Sequence, residues 1–506
     1  MQSVATPHDS NTSNEPRLDQ NPKRTHLSDN GLRLFDLLPA EVISIIFAYY
    51  IQDSSRISRD PFFALTLGRI CRRWRKIAWA TPNLWTSLSI GYKYGMNVAH
   101  TPVELAEEWL SRSGALPVSI QHTFDNFQSH FRYFENALRE CQRMLKVYSR
   151  YSDRWGSLSL ALPSAPIEGF TLPRTPSMLQ GLTLHVYRDD YADLPEYPRI
   201  TAFSKCSPKN VKLIAVEVDL NWTTATHLHL EFVDMAEVLR IFQKASKLSR
   251  CTLRDIPHYG TDVSTIIRHA PIICPVLECL DVAFAEEEAQ IIFCRSITLP
   301  ALKHLTIGSS EWDTSDLSVD ELIFFLAQSP CTLETLGIET VVFERGTLLR
   351  LVPVLSSLTN LEISSGFSYR PEQQLTDLRN FCLLLAGPGG LPPHLLPFAH
   401  AATQPFLPVL ENFLWDGYEA YPWETIPRLL KPAMPDDASY CRPLKSVKIL
   451  CRYRGALEVQ YIQEDVIQQL FEFKDVKFDF TVRSDDIGQE SEIDWLQTSL
   501  EKIKRR

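Results

Sequence analysis

A helical pattern of apolar residues begins near Pro39. The apolar positions lie three or four residues apart and form one stripe, made of Leu38, Val42, Ile45, Ile46 and Tyr49. Pro39 suits the first turn of a helix, where its missing N–H is not needed. A second helix start follows at Asp60-Pro61, and an arginine-rich helical run around Trp74 ends before Pro82. The segment predicts about three short helices with more apolar surface than they can bury among themselves.

A different pattern begins after residue 150. Apolar residues recur in triplets at positions i, i+3 and i+5, and several successive triplets lie about 23 to 25 residues apart. The triplets are Trp155/Leu158/Leu160, Leu179/Leu182/Leu184, Val211/Ile214/Val216, Ala225/Leu228/Leu230, Leu248/Cys251/Leu253, Leu277/Leu280/Val282, Leu302/Leu305/Ile307, Leu333/Leu336/Ile338, Leu358/Leu361/Ile363, Leu410/Phe413/Trp415 and Leu444/Val447/Ile449. The spacing is irregular in places, since the step from Ile214 to Leu228 is short.

Each triplet predicts a short strand. Its last two residues point to the same side of the strand, and its first residue turns inward from the preceding loop. Helix-like runs lie between the strands, for example over 234–242 and 319–326. One strand–helix unit cannot bury its apolar face alone, whereas stacked units share a continuous core. We therefore expect an α/β chain of repeated units. A large α/β domain with coincidental spacing is the alternative.

The N-terminal helices resemble an F-box of the fungal type, whose pattern reads LPxEllxxIF followed by CxxWRxIAxxTPxLW. The first half of the pattern is matched over 38–47. The second half is matched by Cys71, Trp74-Arg75, Ile77-Ala78, Thr81-Pro82 and Leu84-Trp85. A small buried helical domain that caps the next one is the alternative interpretation.

The F-box resemblance implies docking on the Skp-family adaptor of a cullin–RING (SCF-type) ubiquitin ligase, with this chain as substrate receptor. By match to the pattern, the adaptor-binding residues are Leu38, Pro39, Val42, Ile45, Ile46, Cys71 and Trp74. Some of these residues must also hold the helices together. Leu84 and Trp85 are expected to fix the module to the segment that follows.

The repeated region is similar to an irregular leucine-rich-repeat array. Proline-led strand entries over 299–302 and 406–410 favour this interpretation. The chain lacks the Asn or Cys ladder that usually follows each triplet, so the repeat number and curvature stay open. In such an array the target protein would contact outward positions of the strands. The candidates are His227, His229, Asp281, Thr306, Glu362 and Lys448.

The expected fold is thus a three-helix F-box module followed by an irregular leucine-rich-repeat-like solenoid, in the α/β class. We expect a disordered N-terminus over 1–33, the F-box domain over 34–88 and a helical connector over 89–150. The leucine-rich-repeat-like domain is expected over 151–485, and a C-terminal helix or cap over 486–506. A glycine- and proline-rich loop over 386–408 interrupts the repeats.

The composition of the chain indicates which classes of partner and which location to expect. Of the 506 residues 44% are hydrophobic and 22% are charged, and the net charge of −10 argues against nucleic acid as the main partner. No apolar run approaches the length of about 20 residues that a bilayer requires, and the first 30 residues contain no signal-peptide pattern. The 11 cysteines form no CxxC pair, so neither a zinc site nor a disulfide framework is indicated. We expect a cytoplasmic or nuclear protein that binds no membrane.

No catalytic signature is present in the sequence. HExxH, GxSxG and kinase motifs are missing, and the glycines of 386–390 are not followed by Gly-Lys-Ser/Thr. His227 and His229 share a strand face within reach of one metal ion, but no third ligand is near in sequence, which favours ordinary surface histidines. We therefore expect a non-enzymatic protein without a cofactor. Two alternatives stay open: a scaffold that binds partners without ubiquitination, and an enzyme with its site in the loop 386–408.

Overall fold

A computed structural model describes most of the chain. The described residues are 37–57, 63–92, 101–124, 131–187, 197–260, 270–309, 317–340, 350–351, 355–365, 380–383, 385, 406–418, 421–431, 441–453, 459–484 and 492–505. The segment 1–33, the Asp60-Pro61 start signal and most of the loop 386–408 lie outside these ranges. The chain divides into two compact units, residues 1–84 and 85–506.

The first unit is helical in its described part, as the apolar spacing predicts. Its helices are α1 (Ala40–Ile57), α2 (Phe63–Ile70) and α3 (Arg72–Trp79), and a 3-10 turn follows at Pro82–Trp85. Cys71 begins α3 as its N-cap, because its Sγ accepts a hydrogen bond from the Trp74 backbone N–H at 3.3 Å.

A small core joins these helices. Its fully buried members are Ile43, Phe47, Ala64, Leu67, Ile77 and Ala78. The Trp74 ring packs against Phe47 with ring centroids 4.9 Å apart. Gly68 allows α2 to approach α3, because a Cβ at this position would lie 2.0 Å from the Trp79 ring.

The second unit is built on strands. They are β1 (Ser87–Tyr92), β2 (Val118–Phe124), β3 (Trp155–Pro163), β4 (Gly181–Tyr187), β5 (Arg199–Ile200), β6 (Asn210–Ile214), β7 (Glu217–Val218), β8 (His227–Glu231), β9 (Arg250–Ile256), β10 (Ile272–Ile273), β11 (Cys279–Phe284), β12 (Ile297–Thr298), β13 (His304–Ser309), β14 (Thr335–Thr340), β15 (Asn360–Ser365), β16 (Asn412–Gly417), β17 (Ser446–Tyr453), β18 (Lys477–Ser484) and β19 (Glu492–Asp494).

Fifteen of these strands form one sheet in the order β1-β2-β3-β4-β6-β8-β9-β11-β13-β14-β15-β16-β17-β18-β19. The order follows the chain, and neighbouring strands are parallel except for the antiparallel pair β18–β19. Two short parallel pairs, β5–β7 and β10–β12, lie outside this sheet. The α/β class expected from the alternating strand and helix patterns is confirmed.

The strands pair with the apolar triplets in register. Leu182 pairs with Leu158 on one side and Val211 on the other, and Leu305 pairs with Leu280 and Leu336. The last two triplet residues of every strand from β8 to β17 are buried. Each unit therefore adds its apolar pair to a continuous inner row, where burying one such side chain stabilises the fold by about 1.5–3 kcal/mol.

One predicted triplet is wrong. In the structure Val211 pairs with Leu182, and Leu213 pairs with Leu184, so the repeating set is Pro208/Val211/Leu213 and not Val211/Ile214/Val216. Val211 is thus the i+3 residue of its unit. With the corrected register the step from Val211 to Leu228 is 17 residues, so this unit stays shorter than its neighbours.

Two strands of the same kind precede residue 150. Leu88 and Ile90 of β1 pair with Ile120 and His122 of β2, and Ile120 pairs in turn with Leu158 of β3. Trp85/Leu88/Ile90 has the triplet spacing. We expected a boundary between a connector over 89–150 and a repeat domain over 151–485. The sheet has no break there, because β2 pairs directly with β3.

Helices follow many of the strands. They are α4 (Thr101–Arg112), α5 (Phe131–Arg150), α6 (Ser164–Glu168), α7 (Met235–Lys244), α8 (Glu287–Ser296), α9 (Val319–Gln328), α10 (Ile426–Leu430), α11 (Glu464–Leu470) and α12 (Trp495–Lys504). The helices predicted from 234 and 319 are confirmed as α7 and α9. Phe242, Phe293 and Phe325 of α7, α8 and α9 contact one another in sequence, with ring centroids 6.2 and 6.0 Å apart.

The backbone also repeats. Ala215, Phe232 and Asp255 have φ values of 54°, 52° and 49°, and each lies seven positions after the first residue of its unit. Non-glycine residues seldom adopt this left-handed conformation. Two of them complete hydrogen bonds to the next unit, since the Ala215 N–H donates to the Glu231 carbonyl and the Phe232 N–H to the Arg254 carbonyl. Three neighbouring units therefore share this left-handed backbone conformation at the equivalent position.

The C-terminal segment closes the last edge of the sheet. β19 pairs antiparallel with β18 from Thr481 to Arg483, and α12 follows it. Asp494 caps α12 by accepting a hydrogen bond from the Gln497 backbone N–H at 2.8 Å. Among the described residues, none of the helices combines the length and apolar character needed to cross a bilayer.

Candidate functional site

The exposed surface of α1 carries an apolar stripe. Val42 is 38% exposed, Ile45 55%, Ile46 38% and Tyr49 69%. Ile43 and Phe47 on the same helix are 0% and 2% exposed. The helix therefore uses one apolar face for the core and presents a second one outward. Such a contiguous exposed apolar surface is typical of a protein-binding site.

The predicted adaptor-binding residues divide into two groups. Val42, Ile45 and Ile46 lie together on the outward stripe, and Pro39 is exposed at the start of the helix. Leu38 is half-buried, and its carbonyl accepts a hydrogen bond from the Arg73 guanidinium at 2.5 Å.

The other two predicted residues have structural contacts. Cys71 is exposed but caps α3 through its sulfur, and Trp74 is half-buried against Phe47. Substituting Trp74 would disturb the core of the first unit as well as any partner contact. Leu37, Tyr50 and Ile70 are further exposed apolar residues of this unit that the F-box pattern did not single out.

Basic residues accompany the stripe within the first unit. Arg69, Arg72, Arg75 and Lys76 are exposed on α2 and α3. Arg75 also donates a hydrogen bond from Nε to the Gly68 carbonyl at 2.8 Å. A partner with an apolar groove and acidic margins would complement both features.

The predicted target-binding residues share the outward face of the sheet. His229, Asp281, Thr306, Glu362 and Lys448 all lie at the i+4 position of their units, between the two buried triplet residues, and the strand register aligns them in one row. His227 lies at the neighbouring i+2 position. Thr306 is half-buried, and Glu362 and Lys448 are exposed. The structure thus places all six on one face, although over many strands.

Several charges of this face are already paired. Arg254 donates to Asp281 at 2.7 Å and to Glu339 at 3.0 Å. Burial raises the pKa of Asp281, and the positive charge of Arg254 opposes that rise. Lys448 lies 3.9 Å from Asp479. Asp281 and Lys448 therefore take part in contacts within the sheet surface itself.

A cavity of about 340 Å³ opens on the outward face around the two predicted histidines. It extends over β3, β4, β6, β8 and β9. Its outward side chains are Ser157, Ser159, Thr183, Asn210, Lys212, His227, His229, Arg250 and Thr252, with Gly181 among them. Lys212, Arg250 and the hydroxyl residues were not predicted, because only the register reveals that they are neighbours of His229.

The two histidines of this cavity differ in their surroundings. His229 Nε2 lies 3.4 Å from Glu231 Oε2, and His227 Nδ1 lies 2.9 Å from the Thr226 hydroxyl. Burial and then the charge of Lys212 lower the pKa of His229, which the contact with Glu231 partly offsets. These effects together hold the pKa of His229 below its ordinary value.

A metal site needs several ligating side chains close together. Within the described ranges, no three His, Cys, Asp or Glu side chains are grouped so that they could hold a metal ion. Residues 386–405 of the loop considered for an enzymatic site lie outside those ranges.

The chain was also compared with known proteins. No protein-family model matches it, and no curated protein matches it.

Proposed function

We propose that this chain is an F-box substrate receptor, in which the first unit docks on a Skp-family adaptor and the second holds a target protein for a cullin–RING ubiquitin ligase. The observation that carries the proposal is the division of α1 into two apolar faces. Ile43 and Phe47 are buried in the core of the first unit. Val42, Ile45 and Ile46 remain exposed, at positions of the F-box pattern. A helix of a self-contained unit would not need the second face.

The second unit is proposed to be a leucine-rich-repeat-like solenoid. Strands that follow one another in the sheet in chain order support this, as do the aligned triplets and the left-handed conformation repeated at Ala215, Phe232 and Asp255. Arrays of this kind place one side chain of every unit in a row on an extended surface. That row contains five of the six predicted target-binding residues.

The proposed mechanism is proximity. A receptor that binds its target with one unit and the adaptor with the other raises the concentration of the target near the ubiquitin-charged conjugating enzyme of the complex. The chain itself supplies no bond-making group in this mechanism. It acts as a non-enzymatic subunit in the cytoplasm or nucleus, where reduced cysteines such as its eleven free thiols persist.

The test is a pull-down of the purified chain by a Skp-family adaptor. The double variant Val42→Asp/Ile45→Asp places two charges on the exposed stripe and should abolish binding, because an unpaired charge in an apolar interface costs several kcal/mol. Ile273→Asp/Phe471→Asp is the matched control. Ile273 and Phe471 are 65% and 60% exposed in the second unit, so the control adds the same charge without touching the stripe.

The wild type and the control should bind the adaptor, and the stripe variant, with unchanged circular dichroism, should not. Failure of the wild type to bind would refute the proposal. Equal loss in both double variants would show that added charge alone, and not the stripe, controls adaptor capture. Binding of the adaptor without the cullin would favour the alternative of a scaffold that does not promote ubiquitination.

A further inference from the structure

The cavity on β3, β4, β6, β8 and β9, here called the basic cavity, concentrates positive charge in an acidic protein. Lys212 and Arg250 lie on its wall together with His227 and His229, and no Asp or Glu is among its lining residues. The whole chain carries a net charge of −10. The basic cavity is therefore a local exception to the overall charge.

Several cations elsewhere on the second unit are paired with nearby carboxylates. Arg452 pairs with Asp416 at 2.5 Å, Arg254 with Asp281 at 2.7 Å, and Lys303 with Glu278 at 3.1 Å. Neither Lys212 nor Arg250 has such a partner among the residues that the structure describes. Glu231 is the nearest acidic side chain to His229, and it is engaged at 3.4 Å with that imidazole. The two unpaired cations thus remain available to a ligand.

The other residues that line the basic cavity contribute hydrogen-bond donors, and Gly181, which has no side chain, leaves room for a ligand. Ser157, Ser159, Thr183 and Thr252 contribute hydroxyl groups, and Asn210 contributes an amide. Gly181 lies between Ser157 and Asn210 in the i+2 row, where the nearest atom to an added Cβ would be 3.6 Å away. A lining of hydroxyls, a guanidinium and an ammonium suits oxygen atoms that carry negative charge.

We infer that the basic cavity binds an anionic side chain, a carboxylate or a phosphate, in an acidic segment of the target protein. This inference rests on the proposed function, since it names the chemistry of the target that the second unit would hold. The shared feature of both anions is a planar or tetrahedral set of charged oxygens, which Arg250 can bind through two N–H donors and Lys212 as a point charge.

A protein segment fits this surface better than a nucleic acid does. Nucleic acid presents a long row of phosphates and needs a matching row of cations. Away from the basic cavity the charges of the outward i+4 row have mixed signs, since Asp281 lies beside Arg254, and Glu362 and Lys448 follow farther along the sheet. A long polyanion would therefore meet no continuous row of cations beyond the basic cavity, whereas a short acidic segment needs none.

The experiment measures fluorescence anisotropy of labelled peptides with the purified full chain. The probes are a short peptide with consecutive glutamates, its counterpart with a phosphoserine in their place, its counterpart with glutamines, and a single-stranded RNA of similar charge. The glutamate or the phosphoserine peptide, or both, should bind at least about tenfold more tightly than the glutamine peptide. The comparison of the two acidic probes identifies the preferred anion.

Three variants locate the binding. Lys212→Gln/Arg250→Gln should weaken acidic-peptide binding at least about tenfold, because it removes both unpaired cations. Gly181→Val should weaken it without any change of charge, by filling space beside Asn210. Lys474→Gln/Lys477→Gln removes two exposed cations, one just before the far strand β18 and one at its first position, and should leave the affinity unchanged.

The inference is overturned by any of three results. These are equal binding of acidic and glutamine peptides, equal losses in the Lys212/Arg250 and Lys474/Lys477 variants, and preferential binding of RNA. Adaptor capture by the same variants separates the two proposals. Lys212→Gln/Arg250→Gln should still bind the adaptor. If the wild-type chain binds the acidic peptide but not the adaptor, the receptor function is refuted, whereas anion binding in the basic cavity is supported.

Discussion

His122 occupies an inward position of β2 at which the neighbouring strands carry Ile90 and Leu160. The imidazole is fully buried, its Nδ1 lies 3.4 Å from the Tyr148 hydroxyl, and the two rings meet edge to face at 5.8 Å. Burial lowers the pKa of His122 to about 3, since the charged form would lose its hydration. We predict that this residue makes the second unit sensitive to acid.

The direction in which the free energy of unfolding changes with pH follows from two pKa values, those of His122 in the unfolded and in the folded chain. The unfolded chain has an ordinary histidine pKa of about 6.5 and takes up a proton as the pH falls below it, whereas folded His122 remains neutral until about pH 3. Each pH unit below 6.5 therefore favours the unfolded state by about 1.36 kcal/mol. Between pH 7.5 and pH 5.0 the free energy of unfolding should fall by about 2 kcal/mol because of this residue alone.

The assay is urea unfolding of the wild type and of His122→Leu at both pH values, followed by circular dichroism. Leucine is the residue that β3 and β4 carry at the equivalent position, so the variant keeps an apolar core. Other groups titrate in both proteins and cancel in the comparison. The wild type should lose about 2 kcal/mol more than His122→Leu on acidification. Equal losses would refute the assignment of a buried, neutral imidazole.

Two further predictions concern stability. Ile43→Ala should destabilise the first unit by about 2–5 kcal/mol, because Ile43 is fully buried. Ile45→Ala should change the stability of that unit by less than about 0.5 kcal/mol, because Ile45 is exposed. Thermal unfolding of the two variants checks this prediction, and equal effects would contradict the two apolar faces of α1. Arg442→Met should lower the free energy of unfolding by at least about 3 kcal/mol, because four backbone carbonyls would lose their hydrogen-bond donor. The buried guanidinium donates to the carbonyls of Leu385, Phe406, Leu407 and Leu429. A denaturation midpoint unchanged from the wild type would contradict this prediction.

The sequence predicts the strands well where a unit repeats closely. From β8 to β17 the triplets are in register, because apolar residues at i+3 and i+5 must both face the core of a half-buried strand. The unit at Val211 was misplaced because Val211, Ile214 and Val216 share the same spacing by coincidence. β2 was not recognised as part of the repeat because His122 occupies a core position usually held by an aliphatic residue.

The candidate binding surfaces could be predicted only in part, for two physical reasons. Helix α1 is apolar on nearly all sides, so spacing alone could not decide that Ile43 and Phe47 face inward while Ile45 faces outward. The basic cavity combines Lys212, His229 and Arg250 from three strands, and their proximity depends on register and not on sequence distance. A search for cations at both outward positions, i+2 and i+4, of neighbouring units, once the triplets are aligned, would have found it.

The most direct test of the receptor function is size-exclusion chromatography of the full chain mixed with a Skp-family adaptor and its cullin. The account predicts one stoichiometric complex of all three proteins, formed equally by Ile273→Asp/Phe471→Asp and not by Val42→Asp/Ile45→Asp. Elution of the wild-type chain apart from the adaptor would contradict it.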